Sequence, residues 1–320
     1  MKKIIIVTGD PNSINSEIIY KSWSKIKPFL KKRIYFVSNT LLLKKQFHKL
    51  KYNLKIKKVN GLNDFSKNNE LKVIDVKLNF TNPFKVKNVN SSKFIMKSLE
   101  IAHNFGKNKN VGGVINCAID KKLLKNNYSG VTELLASMSR VRNNREVMLI
   151  TNNKFSVSPI TTHININDVS KNITKRKIIN KILTINEWFK KIKKKKPFIG
   201  LLGLNPHNGE MRSNSEEKKI ILPCIEKLQN DGIKISGPLI SDTLFIKDYK
   251  KFDIIVGMYH DQVLTPFKTL FNFDAINVTL GLKYLRASPD HGPAKNLVLK
   301  KKANPISLIK CINFIDKNSR

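Results

Sequence analysis

Phe198-Ile199-Gly200-Leu201-Leu202-Gly203-Leu204-Asn205-Pro206-His207-Asn208-Gly209-Glu210 begins as an apolar run and turns polar at Asn205. Such a short run, ended by Gly and Pro signals, reads as a buried strand that delivers a polar loop. The stretch Ser215–Asn230 follows with a helical pattern. It opens on Ser-Glu-Glu, and carboxylates are favoured near a helix N-terminus. Strand, loop and helix in this order are the repeating unit of an α/β fold.

The same alternation runs along the whole chain. Strands are expected at Ile4–Thr8, Ile34–Val37, Val73–Val76, Gly113–Cys117, Val147–Ile150, Val157–Ile160, Phe198–Leu202, Ile254–Met258 and Ile276–Thr279. Pro159 lacks an N–H for a ladder, which makes the sixth of these an edge strand. Helices are expected at Ser91–Phe105, Thr132–Ser139, Ile173–Lys191 and Ser215–Asn230, with Ser91 or Ser92 as N-cap of the first. The segment Lys51–Asn88 is polar and gives little pattern. No GxGxxG follows a candidate strand, so a standard Rossmann dinucleotide site is not expected.

The chain has 320 residues, 41% of them hydrophobic, enough for one large or two ordinary domains. No apolar stretch reaches the length of about 18 residues that spans a membrane. Met1–Thr8 lacks the long apolar region of a signal peptide and reads as a first strand. Cys117, Cys224 and Cys311 are odd in number and far apart, which fits neither a disulfide framework nor a CxxC metal site. The cytoplasm is the expected compartment. Lys and Arg number 60 against 23 Asp and Glu, a net charge of +37. The cations are spread along the chain, and only Lys190–Pro197 forms a dense run. Nucleic acid is therefore not the expected partner; a positive field that attracts anionic small molecules is.

Three histidines lie at the ends of predicted strands: His163 in TTH, His207 in GLNPHNGE and His260 in YHDQ. Sites gather at that edge of an open α/β sheet. Three imidazoles with positions left open describe a catalytic metal site whose chemistry is polarisation of an oxygen. Each histidine alone fits a strand-capping or packing role equally well. His291 lies in SPDHG, whereas His48 and His103 have no such context and are expected at the surface. Beyond His260 come Lys268, Asn277 and Arg286 at regular spacing. Two cations and an amide can clamp a phosphate. Spacing alone leaves this open against ordinary surface lysines, and Arg286 is the more informative cation because Arg is scarce here.

Together GLNPHNGE (Gly203–Glu210), GPLISDTLF (Gly237–Phe245), YHDQVLTPFK (Tyr259–Lys268), NVTLGL (Asn277–Leu282), SPDHG (Ser288–Gly292), TTHININDV (Thr161–Val169) and TGDP (Thr8–Pro11) resemble the 4-hydroxythreonine-4-phosphate dehydrogenase family over nearly the whole chain. The resemblance implies a two-domain α/β/α fold of the isocitrate/isopropylmalate dehydrogenase kind. It implies a homodimer with residues of both subunits in each active site. The first domain is expected to be discontinuous, 1–108 plus 253–320, on the cofactor side. The second, 109–252, is expected to carry the dimer interface, with metal and substrate in the cleft between them. His163, His207 and His260 match the family's divalent-metal ligands, with Zn, Mg or Co as the ion. Thr132, Lys268, Asn277 and Arg286 match substrate-binding positions, and Asp242 and Lys121 match further polar positions. The implied reaction is NAD- or NADP-linked oxidation and decarboxylation of 4-phosphooxy-L-threonine to 3-amino-2-oxopropyl phosphate in pyridoxine 5'-phosphate and pyridoxal phosphate biosynthesis. The general base and the cofactor-binding residues are not assigned.

The chain departs from the family pattern in four places. The usual GDPAGIGPE is Gly9-Asp10-Pro11-Asn12-Ser13-Ile14-Asn15-Ser16-Glu17 here, so a tight turn there must be remodelled. GHTE is Gly130-Val131-Thr132-Glu133, and the Val131 side chain cannot make the hydrogen bond of the family's histidine. PINK is Ala118-Ile119-Asp120-Lys121. The glycine-bearing stretch after Gly292 is Pro293-Ala294-Lys295-Asn296-Leu297-Val298-Leu299-Lys300. Two alternatives follow: the same chemistry on a threonate or erythronate phosphate, or a catalytically silent relative that binds a phosphorylated ligand.

Overall fold

The computed structural model describes all residues except 67, 68, 125–127, 153, 273 and 320. The chain divides into two units, Met1–Val131 with Lys283–Arg320, and Thr132–Leu282.

Among the described residues the first unit contains six strands: β1 (Lys3–Val7), β2 (Ile34–Ser38), β3 (Ile56–Val59), β4 (Leu71–Asp75), β5 (Val111–Asn116) and, from the far end of the chain, β12 (Leu285–Pro289). Their order is β3-β4-β2-β1-β5-β12, and every pairing is parallel. Parallel strands are covered by helices on both faces, so they read as unbroken apolar runs. β2 and β5 are buried at every position. The helices Asn15–Lys25, Thr40–Leu50, Asn88–Gly106 and Ile306–Asn318 each bury an apolar stripe. The last of these packs on β12 and β5.

The second unit contains β6 (Val147–Thr151), β7 (Ser156–Pro159), β8 (Ile199–Leu202), β9 (Ile235–Leu239), β10 (Ile254–Gly257) and β11 (Ile276–Leu280). The order is β11-β6-β7-β10-β8-β9. The pairs β11–β6 and β6–β7 are antiparallel; β7–β10, β10–β8 and β8–β9 are parallel. Ile150, Val157, Leu202, Ile255, Val263 and Phe267 form part of one core beneath the His260–Phe271 helix. Among the described residues no helix is long and apolar enough to cross a membrane.

All nine expected strands are present, and β3, β9 and β12 are additional. Each of the three hides from a hydropathy reading for a visible reason. β3 (IKKV) exposes Lys57 and Lys58, β9 (ISGPL) contains Gly-Pro, and β12 (LRASP) carries Arg286 and ends in proline. β7 is not an edge strand: it lies between β6 and β10. β6 pairs with it only at Ser156 and Val157, so Pro159 stands beyond the end of that ladder and costs it no bond. The Asn88–Gly106 helix starts a turn before Ser91, which is buried inside it, and Lys87 occupies the N-cap position.

The first unit combines both ends of the chain, and the crossings fall at 131/132 and 282/283, where the resemblance implied 108 and 252. Pairing explains the shift. β5 joins β1 and β12 and so stays in the first unit. β10 joins β7 and β8, and β11 joins β6, so both stay in the second. His103 is buried rather than superficial: its Nδ1 lies 2.9 Å from the Tyr284 hydroxyl. His48 is exposed.

Candidate active site

In the second unit β7, β10 and β8 are adjacent and parallel, so the segments with His163, His260 and His207 all leave the same edge of the sheet. Two local devices join these exits. Thr161 donates its hydroxyl to the Met258 carbonyl at 2.7 Å, and Ile160 N–H donates to Gly257 at 2.8 Å. Gln262 accepts from Met258 N–H at 2.6 Å while its amide donates to the Gly203 carbonyl at 2.7 Å. Only a side chain with both a donor and an acceptor can bridge these two strand ends. The Gln of YHDQ therefore has a structural task.

The result brings His163 and His260 together, with ring centroids 5.5 Å apart and planes tilted by 41°. Two imidazoles on one tetrahedral ion, with metal–nitrogen distances of about 2.0–2.1 Å, put their ring centres about 5 Å apart. The pair therefore fits a shared divalent metal. His260 Nδ1 lies 2.7 Å from Asp261 Oδ1, so Nε2 is the ring nitrogen that faces away from that carboxylate. His207 is exposed and stands on a turn in which His207, Asn208, Gly209 and Glu210 all have left-handed backbone angles. Among the described residues no group of three or more His, Cys, Asp or Glu side chains closes on one point. Two of the three expected ligands thus meet here, and the third lies on the neighbouring loop.

The residues expected to bind substrate are distributed over the two units, and each is placed here within its own. Thr132 is buried on the Val131–Met138 helix, with its Oγ1 3.2 Å from Thr279 Oγ1. Asn277 is two residues before Thr279 on β11 and so shares its face. Glu133, the next residue after Thr132, accepts from the Thr162 hydroxyl at 3.0 Å and holds the segment that bears His163. Lys268 is half-buried on the His260–Phe271 helix, and Asp242 is exposed on a short helix, Ser241–Leu244. Arg286 belongs to β12 in the first unit. It is only 2% exposed, and its Nε donates to Asn116 Oδ1 at 2.8 Å. That bond orients the guanidinium from the end of β5.

The first unit has its own crowded edge. The loops after β1, β5 and β12, three neighbouring parallel strands, carry Gly9–Glu17, Ala118–Lys121 and Asp290–Lys295. The chain order reverses between β1 and β5, which is where open α/β sheets bind ligands. Gly9 has φ +77°, and a Cβ there would meet the Ala118 carbonyl at 2.5 Å, so this glycine is obligatory. The missing later glycines are not needed. Asn12 ties the loop to Val86 by two reciprocal bonds of 2.7 and 2.8 Å. Glu17 accepts from Lys21 at 2.7 Å and from Ala303 N–H at 2.8 Å.

Asp10 was quoted by the sequence only as part of a motif. It is buried, and burial pushes its carboxyl above the usual range against the opposing pull of the Asn12 N–H and Lys295. Lys295 lies in the stretch that departs from the family pattern. It contacts Asp120 at 2.8 Å, and this hydrogen bond lowers the Asp120 pKa and raises that of Lys295. Lys121 is exposed beside it. Sequence spacing does not reveal Asp10, Asp120 and Lys295 as neighbours, because they lie in parts of the chain far apart.

Two α/β units, one with paired imidazoles at the edge of its sheet and one with a buried arginine on β12, make the framework of an α/β enzyme, and comparison with known proteins assigns the class as a dehydrogenase. The model of the pyridoxal phosphate biosynthetic protein PdxA matches residues 30–315, and the chain belongs to that family. It is 38% identical to a 4-hydroxythreonine-4-phosphate dehydrogenase of Sulfurihydrogenibium sp., over 98% of this chain and 97% of the relative. A D-threonate 4-phosphate dehydrogenase of Pectobacterium atrosepticum is 34% identical over 57% of this chain and 56% of its own. The crystal structure of the 4-hydroxythreonine-4-phosphate dehydrogenase from Klebsiella pneumoniae superposes with a TM-score of 0.86 at 25% identity, covering all of both chains.

Proposed function

We propose that this chain oxidises and decarboxylates 4-phosphooxy-L-threonine with a divalent metal and NAD or NADP, giving 3-amino-2-oxopropyl phosphate for pyridoxal phosphate biosynthesis. The observation that carries the reading is the His163–His260 pair, 5.5 Å apart and backed by Asp261. The names of the full-length relatives support it.

A divalent cation held by His163 and His260, with His207 as third ligand, would polarise the substrate hydroxyl and the oxygen that gains charge as carbon dioxide leaves. A bound nicotinamide would take up the hydride from the carbinol carbon. Lys268, Asn277 and Arg286 would hold the phosphate, and the buried Arg286 would supply a preset fork. Thr132 would fix the other end of the substrate. Together they restrict the reacting carbon to one orientation. A homodimer with a shared active site fits the family, and exposed apolar side chains such as Ile246 (70% exposed) and Ile166 (66%) offer surface for it. The expected compartment is the cytoplasm.

The test is nicotinamide absorbance with 4-phosphooxy-L-threonine, either coenzyme and a panel of divalent metals. Turnover that a chelator removes and metal restores is expected. No turnover with any combination would overturn the substrate.

One observation favours a second reading. Val131, where the family has histidine, is half-buried at the start of the helix that carries Thr132. Val131 cannot make the hydrogen bond of the family's histidine, and a substrate that differs in its contacts there, such as a threonate or erythronate phosphate, is the alternative. Faster turnover of those compounds by the wild-type chain, reversed in Val131→His, would establish it.

A further inference from the structure

We propose that Glu217 is the positioning residue for His207, a role that rests on His207 being a metal ligand. Glu217 is 0% exposed, yet no basic side chain sits against its carboxylate among the ion pairs of the described residues. The charge is met by amide donors instead. Oε1 accepts from the backbone N–H groups of Leu204 and Asn205, both at 2.7 Å. Oε2 accepts from the Asn205 side chain at 3.0 Å, and that same amide donates to Glu216 Oε2 at 2.8 Å. All three bonds to Glu217 therefore come from the two residues that lead into Pro206 and His207.

The glycines of GLNPHNGE follow from this arrangement. A Cβ on Gly203 would lie 3.0 Å from Glu217 Oε1 and 2.2 Å from Asn208 Oδ1. A Cβ on Gly209 would lie 3.1 Å from Glu217 Oε2, at a φ of +56°. The loop is wrapped around the carboxylate with no room for side chains at those two points. The geometry also requires a carboxylate. A glutamine could offer one oxygen to the two backbone N–H groups, but its amide would then face the Asn205 amide, donor against donor. Turning Asn205 over would relieve that contact only by aiming its oxygen at Glu216. Residues that orient a metal ligand from behind typically cost 10- to 100-fold in metal affinity when removed.

The experiment uses full-length protein, Co2+ as the probe, and three variants: Glu217→Gln, Asn205→Ala and His207→Ala. Amide hydrogen exchange at Leu204 and Asn205, Co2+ affinity and thermal midpoint are measured on each. Glu217→Gln should exchange faster at both amides and bind Co2+ about 10-fold or more weakly. Unchanged Co2+ affinity with only a lower midpoint would make Glu217 a stability residue and overturn the proposal. If Glu217→Gln does not fold, Asn205→Ala carries the same criteria, because it removes the Oε2 contact and leaves the backbone bonds. A His207→Ala protein that binds Co2+ like the wild type would strike at His207 as a ligand, and so at the metal half of the proposal. The two amides would then decide by themselves whether Glu217 anchors the loop.

Discussion

His163 and His260 face each other at 5.5 Å because Thr161 and Met258, 97 residues apart in the chain, are hydrogen-bonded at the ends of neighbouring strands. Asp261 completes the arrangement from behind. His163→Ala should therefore abolish binding of Co2+ or Zn2+. Asp261→Ala should leave the fold intact and weaken binding by about 10-fold, as loss of an outer carboxylate does. Titration against a chelator of known affinity measures both, and an Asp261→Ala protein of wild-type affinity would remove the carboxylate from the proposed metal site.

Arg286 is buried with its Nε on Asn116. A lysine there keeps the charge but loses the planar fork and the bond to Asn116. Arg286→Lys should raise KM for the phosphorylated substrate by about 10-fold or more, the equivalent of roughly 1.4 kcal/mol. It should also cost about 1–3 kcal/mol of stability through the unsatisfied Asn116 oxygen. Initial rates and urea unfolding separate the two effects. A wild-type KM would exclude Arg286 from phosphate binding.

Burial pushes the Cys117 thiol up to about 12 and the Cys224 thiol to about 11, and it raises Cys311 well above the usual thiol value. The folded thiols hold their protons more tightly than unfolded ones, which ionise near about 8.5. Their contribution to stability is complete below that pH and is lost as pH rises toward the folded values. Urea midpoints should fall between pH 8 and 11, with a shallower fall in Cys117→Ala. Lys72 works in the opposite sense, because its amine is lowered to about 8 by burial. A thiol reagent at pH 8 should find no reactive cysteine in native protein and three after denaturation.

Gly9 stands at φ +77° with the Ala118 carbonyl 2.5 Å from where a Cβ would be. Gly9→Ala should destabilise the protein by more than the roughly 1 kcal/mol that a simple change in chain entropy involves. Denaturant unfolding tests this. A neutral result would mean the loop after β1 can rebuild, as its neighbour positions at Asn12 and Ser13 already have.

Much of this molecule was legible in its sequence. The nine expected strands were, because buried parallel strands must be continuously apolar whatever surrounds them. The motifs around His163, His207 and His260 were, because each is a short polar string at the end of such a run. Sequence also located the four departures, in Gly9–Glu17, Ala118–Lys121, Gly130–Glu133 and Pro293–Lys300. It could not show β3, β9 or β12, whose Lys, Gly, Pro and Arg residues obscure the strand signal. It misplaced the crossings between units, since pairing partners and not local hydropathy assign β5, β10 and β11.

What only the tertiary structure decided are the relationships between distant residues: Gln262 reaching both Met258 and Gly203, Glu133 holding Thr162, Arg286 braced on Asn116, and Glu217 beneath the His207 loop. A linear pattern records which side chains want burial. It does not record which donor will find which acceptor, because that choice is made by strand order and register once the sheet has formed.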